Sequence, residues 1–328
     1  MAGIKNLIHL ITPATDKGHP MKRLFSALLA TIIASALPMT VQADSGSIYD
    51  AYDKAVKTGI RSGFAGFPLG AERYATWFDA ETLQKGDKVP ALKKGDRLTL
   101  YRFSGKIGQG TVTSVEKDAQ DTIMYTIKDQ KGHQYGIGEP ILATDNPLDA
   151  MPRRMEKLSN NNPVYLDIVR KILEKKGLKG VKPKIVQLFR GQLGITGHSY
   201  DDIVIVASNI PPQQGGDTAW NADSELPNYG VMPGANPKSY SLVIVRQIVD
   251  GTVKEYILDS YISVKGSSPA NIDWQPPHLF KIEAFADLNA DVNMEIILTD
   301  MMYEGVGYNV YYHDSKGWRC VLSNGYGA

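Results

Sequence analysis

Residues 287–298 read Asp-Leu-Asn-Ala-Asp-Val-Asn-Met-Glu-Ile-Ile-Leu, and they contain the most informative pattern in the chain. Oxygen-bearing side chains occupy alternate positions: Asp287, Asn289, Asp291, Asn293 and Glu295. A tightly curled loop can turn alternate side chains inward, and the apolar residues that follow are typical of a buried strand. The stretch therefore predicts a polar loop that leads directly into a β-strand.

An earlier block of the chain has a similar arrangement. Asp202 begins an apolar strand there, as Glu295 does in the later block. In each block a loop follows, and then a second strand that begins with a tyrosine, Tyr240 or Tyr308. Duplicated sheet units of this kind are typical of propeller blades, but two units cannot close a propeller. We expect residues 181–328 to form two propeller-blade-like antiparallel β units in an open or face-packed arrangement.

The middle of the chain predicts a small barrel and a helical linker. Residues 88–147 contain four or five short alternating runs separated by glycine turns, which favours an SH3-like barrel. Residues 148–180 contain one predicted helix, because Asn162 is a suitable N-cap and Pro163 suits the first helical position. The predicted fold class is therefore mainly β (α+β): a small SH3-like barrel, one linking helix and two β units.

Upstream of the barrel, residues 44–87 form a mixed N-terminal segment. A short helix is expected near its start, and Gly59–Gly70 is expected to be a glycine-rich loop. Trp77 and Phe78 are expected to begin the next packed element.

The N-terminal region has the three parts of a secretory signal. Met21–Arg23 is positively charged, Leu24–Leu37 is mostly apolar, and Val41–Ala43 supplies small residues for cleavage after Ala43. The apolar run is shorter than the roughly 20 residues that span a bilayer. We expect translation from Met21 and a periplasmic or secreted protein with no transmembrane segment in the mature chain. The alternative is a buried N-terminal helix.

Charge and cysteine content limit the class of protein. Loss of the signal region, residues 1–43, removes four of the 36 basic and one of the 35 acidic side chains, which leaves a formal net charge of −2. Nucleic-acid-binding proteins need a basic footprint, so nucleic acid is excluded as a partner. The single cysteine, Cys320, cannot form an intrachain disulfide, and we expect it to be a small buried apolar residue rather than a nucleophile.

Catalytic signals are weak. The sequence has no G-x-S-x-G or H-E-x-x-H motif. The leading hypothesis is an exported, non-enzymatic binding or structural protein with a peptide, glycan or protein ligand. The alternative is an extracytoplasmic hydrolase of cell-wall or extracellular polymers, with loop carboxylates as acid and base. The candidate ligand contacts are three loop aromatic residues and one acidic residue: Trp220, Tyr229, Trp274 and Glu304.

The polar loop resembles the calcium loop of FG-GAP/VCBS-type repeats, whose D-x-D-G-D-G-x-x-E/D motif lies between two strands of a blade. Four residues match the ligand positions of that motif: Asp287, Asn289, Asp291 and Glu295. Ala290 and Val292 replace its two glycines, and valine tolerates a positive φ poorly. An EF-hand is excluded because Leu298 stands at position 12, where a bidentate glutamate is required.

Residues 88–328 also resemble a family of exported bacterial proteins of unknown function. That family combines a D-x-N-G-D-G-x-x-E-I loop, a Y-Y-E-G turn, a V-Y strand and a terminal C-G-C-G-A. After the loop, the corresponding features here are Met302–Gly305, Val310–Tyr311 and Gly325–Ala328. The paired terminal cysteines are absent from this chain.

The resemblance implies Ca²⁺ as a cofactor that stiffens the loop, with Asn293 as a further oxygen donor. The alternative is a hydrogen-bonded Asx-type turn that keeps its shape without metal. In the earlier block only Asp202 keeps a carboxylate, so that copy is expected to have lost its metal.

Overall fold

The computed structural model describes residues 45–73, 76–79, 89–117, 122–194, 201–211, 213–214, 229–249, 251–271, 274–303 and 305–327. The chain divides into two units, residues 1–49 and 50–328. The predicted signal region and its cleavage after Ala43 lie outside the described residues. In the described part of the chain, no helix is long and apolar enough to cross a membrane.

The described residues form two helices and nineteen strands. The helices are α1 (Ser45–Thr58) and α2 (Pro163–Lys175). The strands are β1 (Ile60–Phe64), β2 (Phe67–Arg73), β3 (Thr76–Asp79), β4 (Arg97–Arg102), β5 (Gly105–Lys117), β6 (Ile123–Asp129), β7 (Gln134–Tyr135), β8 (Leu142–Thr144), β9 (Glu156–Lys157), β10 (Ile185–Gly191), β11 (Asp202–Ser208), β12 (Gln213–Gln214), β13 (Tyr229–Gly230), β14 (Ser239–Val249), β15 (Thr252–Ser263), β16 (Leu279–Ala286), β17 (Glu295–Met302), β18 (Gly305–Asp314) and β19 (Gly317–Gly327).

These strands pair into antiparallel sheets, which confirms a mainly β fold. The largest sheet has eight strands in the order β3-β2-β1-β8-β4-β5-β6-β7. A five-stranded sheet has the order β15-β14-β11-β10-β9, and a four-stranded sheet has the order β16-β17-β18-β19. Strands β12 and β13 form a separate two-stranded ladder.

The prediction of a closed SH3-like barrel is wrong. Strands β4–β8 do pair with one another, but in the described residues the eight-stranded sheet is open and has β3 and β7 at its edges. Strand β8 has a neighbour on both sides, because Leu142 is opposite Phe64 of β1 and Tyr101 of β4. No free edge of β8 remains for closure.

The strand that occupies this edge of β8 comes from the segment expected to be a glycine-rich loop. Residues 60–73 instead form the hairpin β1–β2, in which Phe64 is opposite Phe67. The turn residues Ala65 and Gly66 have φ values of 50° and 87°. Two consecutive positive φ angles match the twist of antiparallel strands, which is why the chain reverses here without a longer loop.

Helix α2 is the linking helix that the sequence predicted. The side chain of Asn162 accepts a hydrogen bond from the Val164 N–H over 3.1 Å, and Pro163 is the first helical residue. The buried face of the helix contains Val169 and Leu173, which pack against the five-stranded sheet. The N-cap and the apolar spacing therefore place this helix correctly.

The two predicted β units are repeated four-stranded meanders. One contains β10, β11, β14 and β15, and the other contains β16, β17, β18 and β19. Asp202 and Glu295 both begin the second strand of their meander. Two residues farther on, Val204 and Ile297 each lie between a residue of the first strand and a residue of the third. The two units therefore share one strand order and one register.

The register corrects one detail of the repeat. Val206 is opposite Val243, whereas the corresponding Thr299 is opposite Tyr308. Tyr308 therefore corresponds to Val243, not to Tyr240. The two tyrosines begin similar sequences but occupy different positions in their sheets.

The sheets of the two units pack as successive layers, with corresponding faces turned in the same direction. Side chains on one face of the first unit share a core with the second unit: Phe189, Val204 and Val245. Their counterparts in the second unit share a different core with Phe64 and Phe67 of the eight-stranded sheet: Ala284, Ile297 and Val310. The order of layers is therefore α2, the five-stranded sheet, the four-stranded sheet and the eight-stranded sheet. The face of the first unit that contains Val204 packs on the face of the second unit that contains Ile296. The face of the second unit that contains Ile297, the counterpart of Val204, packs on the eight-stranded sheet.

Candidate functional site

The polar loop connects β16, which ends at Ala286, to β17, which begins at Glu295. Its first and last acidic residues, Asp287 and Glu295, are both 0% exposed. An ionised carboxylate is costly to bury without a partner, so each of these oxygens must find a donor or a cation.

Asp287 organises the first half of the loop. Its Oδ1 accepts from the N–H groups of Asn289 over 3.3 Å and Asp291 over 3.2 Å. Its Oδ2 accepts from the N–H of Val292 over 2.9 Å. One carboxylate therefore collects the amides of positions 3, 5 and 6, which curls the backbone around it as in an Asx-type turn.

Asp291 organises the second half. Its Oδ1 accepts from the N–H of Asn293 over 2.8 Å. Its Oδ2 accepts from Asn289 Nδ2 over 3.0 Å and from the Tyr312 hydroxyl over 3.2 Å. Asn289 Oδ1 in turn accepts from the N–H of Asp291 over 3.2 Å. The polar side chains of the loop thus bond to the loop itself and to β18.

The loop keeps its sharp turn without glycine. Ala290 has a φ of 60° and Val292 has a φ of 65°. These are the two positions where the resembling motif has glycine, so replacing the glycines did not change the left-handed backbone at either position. Each such conformation costs a residue with a Cβ about 1–2 kcal/mol. The loop therefore holds a strained shape at both positions.

Glu295 closes the loop. Its Oε2 accepts from the N–H of Leu288 over 2.7 Å, but its buried Oε1 has no hydrogen-bond partner. Burial raises the pKa of Glu295 well above its ordinary value, and the nearby Asp291 and Asp287 raise it further. Burial also raises the pKa of Asp287, and Asp291 adds to this effect. A positive charge that reaches the loop in the described residues is the Arg153 guanidinium, which interacts electrostatically with Asp287 and Asp291.

The donor chemistry suits a hard cation, because Ca²⁺ prefers carboxylate and amide oxygens. The unpartnered Oε1 of Glu295 is an oxygen that such an ion would satisfy. The described residues nevertheless contain no group of three or more His, Cys, Asp or Glu side chains placed to hold a metal ion. Coordination by all three loop carboxylates therefore requires a different arrangement of these side chains from the one observed.

The equivalent loop of the first repeat uses the same closing contact. Asp202 Oδ2 accepts from the N–H of Leu193 over 2.8 Å, as Glu295 Oε2 accepts from the N–H of Leu288. Residues 195–200 of that loop lie outside the described residues. The acidic residue at the start of the second strand therefore has a shared structural role in both repeats.

The structure describes two of the four candidate ligand contacts. Trp220 and Glu304 lie outside the described residues, and Tyr229 lies in strand β13. Trp274 is half-buried, and its indole N–H donates to the Pro233 carbonyl over 2.7 Å. The expectation of a buried Cys320 is wrong, because this residue is exposed on β19.

Several contacts of the loop were missed by sequence reasoning. Tyr312 bonds Asp291 and has its own ring 5.6 Å from that of Trp77. Burial, followed by Asp291, raises the pKa of the Tyr312 phenol. Arg153 and Asn146 reach the loop from a distant segment. The only available signal was the Tyr311-Tyr312 pair itself, since residues so distant in sequence leave no periodic pattern.

Comparison with protein-family models, with curated proteins and with solved structures finds no match to this chain. The resemblance to FG-GAP/VCBS-type loops therefore rests on the residues of the loop. Any assignment of function must be argued from the geometry described above.

Proposed function

We propose that this is an exported, non-enzymatic binding or structural protein whose loop 287–295 is stabilised by Ca²⁺. The observation that carries the proposal is the buried Glu295 Oε1, which has no hydrogen-bond partner and lies in a loop with two further carboxylates. A divalent cation would offset the cost of burying these charges. The hydrogen bonds of the loop satisfy Asp287 and Asp291 but leave Glu295 Oε1 without a partner.

The side chains that would hold the ion are those of the matched motif: Asp287, Asn289, Asp291 and Glu295. Asn293 is a further oxygen donor. When bound, the ion would supply positive charge and a cross-link between the end of β16 and the start of β17. The left-handed backbone at Ala290 and Val292 supports the proposal, because the loop keeps the turn positions of the resembling motif despite their energetic cost.

A binding or structural role is supported by the architecture around the loop. Stacked antiparallel sheets give a rigid scaffold, and a long segment of sequence connects β11 to β14. Loops on rigid scaffolds commonly carry binding residues. A peptide, glycan or protein ligand outside the cytoplasm is the partner that we propose, with Trp220 and Tyr229 as contacts. Trp274 instead holds the backbone at Pro233 through its indole.

Thermal unfolding of the purified chain in EDTA and in increasing Ca²⁺ tests the metal site. An ion at about 100 times its dissociation constant should stabilise the fold by about 2.7 kcal/mol, and extracellular calcium modules bind in the range of about 10⁻⁴–10⁻³ M. The double variant Asp287→Ala/Asp291→Ala should lose the calcium-dependent rise in Tm. Asp129→Ala is the matched control, because Asp129 also accepts two backbone N–H groups in a turn but lies outside the loop. A wild-type Tm that does not respond to Ca²⁺ would refute the metal site.

A further inference from the structure

The segment between β8 and β9 contacts the loop on both sides. This segment, residues 146–153, leaves the eight-stranded sheet after Thr144 and reaches the loop before β9 begins. It makes three hydrogen bonds to the loop, through Asn146, Ala150 and Arg153. We call residues 146–153 the clamp segment.

Two of these bonds fix the backbone of Asp287. The Asn146 side chain donates from Nδ2 to the Asp287 carbonyl over 2.7 Å. The Asp287 N–H donates to the Ala150 carbonyl over 2.7 Å. Asn146 is itself held, because its Oδ1 accepts from the N–H of Leu148 over 2.8 Å. The clamp segment therefore holds the backbone from which the Asp287 carboxylate, the first candidate ligand, projects.

The third bond holds the far side of the loop. Arg153 Nη2 donates to the Val292 carbonyl. The same guanidinium donates to the carbonyl of Leu193 over 3.1 Å and to that of Gln192 over 2.9 Å. Arg153 thus joins the loops of both repeats to the clamp segment.

The clamp segment is in turn attached to the eight-stranded sheet. The Ala150 N–H donates to the Tyr101 hydroxyl on β4 over 3.1 Å. Ala150, Tyr101 and Leu288 of the loop share one apolar core with Phe64 and Phe67. A continuous set of contacts therefore runs from β4 through Ala150 to Asp287.

We infer that the clamp segment couples calcium binding in the loop to the docking of the eight-stranded sheet on the repeats. This inference rests on the proposed calcium site. An equilibrium coupling is reciprocal. Loss of the hydrogen bonds between the clamp segment and the loop therefore weakens Ca²⁺ binding, and bound Ca²⁺ stabilises those hydrogen bonds. Bound calcium would then stabilise the packing of the eight-stranded sheet on the four-stranded sheet as well as the loop itself.

Isothermal titration of Ca²⁺ into the full chain and into Asn146→Ala tests the first half of this coupling. Asn209→Ala is the matched control, since Asn209 also donates to one carbonyl, that of Lys238, and accepts from one amide, that of Tyr240. Asn146→Ala should weaken Ca²⁺ binding at least about fivefold, the lower end of typical couplings, while Asn209→Ala should change it less than about twofold. Unchanged binding by a folded Asn146→Ala overturns the inference but leaves the calcium site standing. Failure of the wild-type chain to bind Ca²⁺ overturns both.

Limited trypsin digestion of the unmodified chain tests the second half and does not depend on any variant folding. The clamp segment ends at Arg153, which is followed directly by Arg154, so trypsin can cleave after either residue. The end of α2 provides Lys175 and Lys176 as an internal reference. Saturating Ca²⁺ should slow cleavage after Arg153 and Arg154 at least about fivefold relative to cleavage after Lys176. If Ca²⁺ leaves the ratio of these two cleavage rates unchanged, the inference is overturned.

Discussion

The Met294 N–H donates to the Leu193 carbonyl over 2.6 Å, so the corresponding loops of the two repeats are directly hydrogen-bonded. Leu193 also donates its own N–H to Asp202, and Met294 immediately precedes Glu295. The acidic residues that begin β11 and β17 are therefore linked through a short path of backbone bonds. A displacement of the backbone in one loop would therefore disturb a hydrogen bond of the other loop.

The left-handed backbone at Val292 predicts a stabilising substitution. Val292→Gly removes a strain of about 1–2 kcal/mol and adds the unfolded-state freedom of glycine, so a net gain of about 0.5–1 kcal/mol is expected. Urea unfolding in EDTA measures this gain. Val253→Gly is the control, because Val253 is exposed in the strand β15 and its replacement should destabilise the protein. A destabilised Val292→Gly protein would contradict the strain argument.

Replacement of Glu295 by glutamine should separate stability from metal binding. The raised pKa of the buried Glu295 means that the folded chain binds its proton more tightly than the unfolded chain. Its contribution to stability therefore falls as the pH rises above the ordinary value near 4.5. Glu295→Gln has no such loss and should be more stable than the wild type at pH 8 in EDTA, yet its Tm should not respond to Ca²⁺.

Chemical unfolding of both proteins at pH 5 and pH 8 checks this prediction, with the exposed Glu116→Gln as the control. The advantage of Glu295→Gln should be larger at pH 8. An advantage that is the same at both pH values would show that ionisation of Glu295 is not its source.

The His278–Asp300 pair predicts a second pH dependence of stability, which comes from a protonated imidazole rather than from a buried carboxyl group. His278 Nδ1 lies 2.9 Å from both carboxylate oxygens of Asp300, and this hydrogen bond raises the pKa of the imidazole despite the opposing effect of burial. The contribution of the protonated pair is fully present below the unfolded value near 6.5 and is lost as the pH rises through the higher folded value. His278→Gln should therefore narrow the difference in unfolding free energy between pH 6 and pH 8.

The control for this measurement is His133→Gln, because the His133 side chain is 58% exposed. That variant should retain the wild-type dependence on pH. If His278→Gln retains it as well, the pair does not contribute in this range.

Gln187 should hold the two repeats together. Its side chain accepts from the Ile282 N–H over 2.8 Å and donates to the Ile282 carbonyl over 3.1 Å, at the point where the pairing of β16 with β17 is interrupted. Gln187→Ala leaves two backbone groups of a buried residue without partners, which should cost about 2–4 kcal/mol. Urea unfolding measures the cost, and the exposed Gln134→Ala should be nearly neutral. A similar small effect from both would mean that water replaces the Gln187 contacts.

Local chemistry determined what the sequence predicted correctly. Asn162 and Pro163 begin a helix because they satisfy or avoid the unpaired N–H groups of its first turn. Apolar residues after Glu295 form a strand because their side chains are buried on both faces of a sheet. The curl of loop 287–295 follows from side chains that bond to backbone groups two to five residues away.

Contacts between distant residues decided the rest. Strand β8 pairs with β1 rather than closing a barrel, and Asn146 reaches Asp287 across 141 residues of sequence. Such pairings depend on which edges and donors the packed sheets leave available, and that depends on the whole chain. Hydrophobic periodicity reports only which face of a strand is buried, not which strand lies beside it. The sequence by itself therefore determined the β-rich elements and the polar loop, whereas the open sheet, the stacking of the repeats and the clamp segment were decided by tertiary structure.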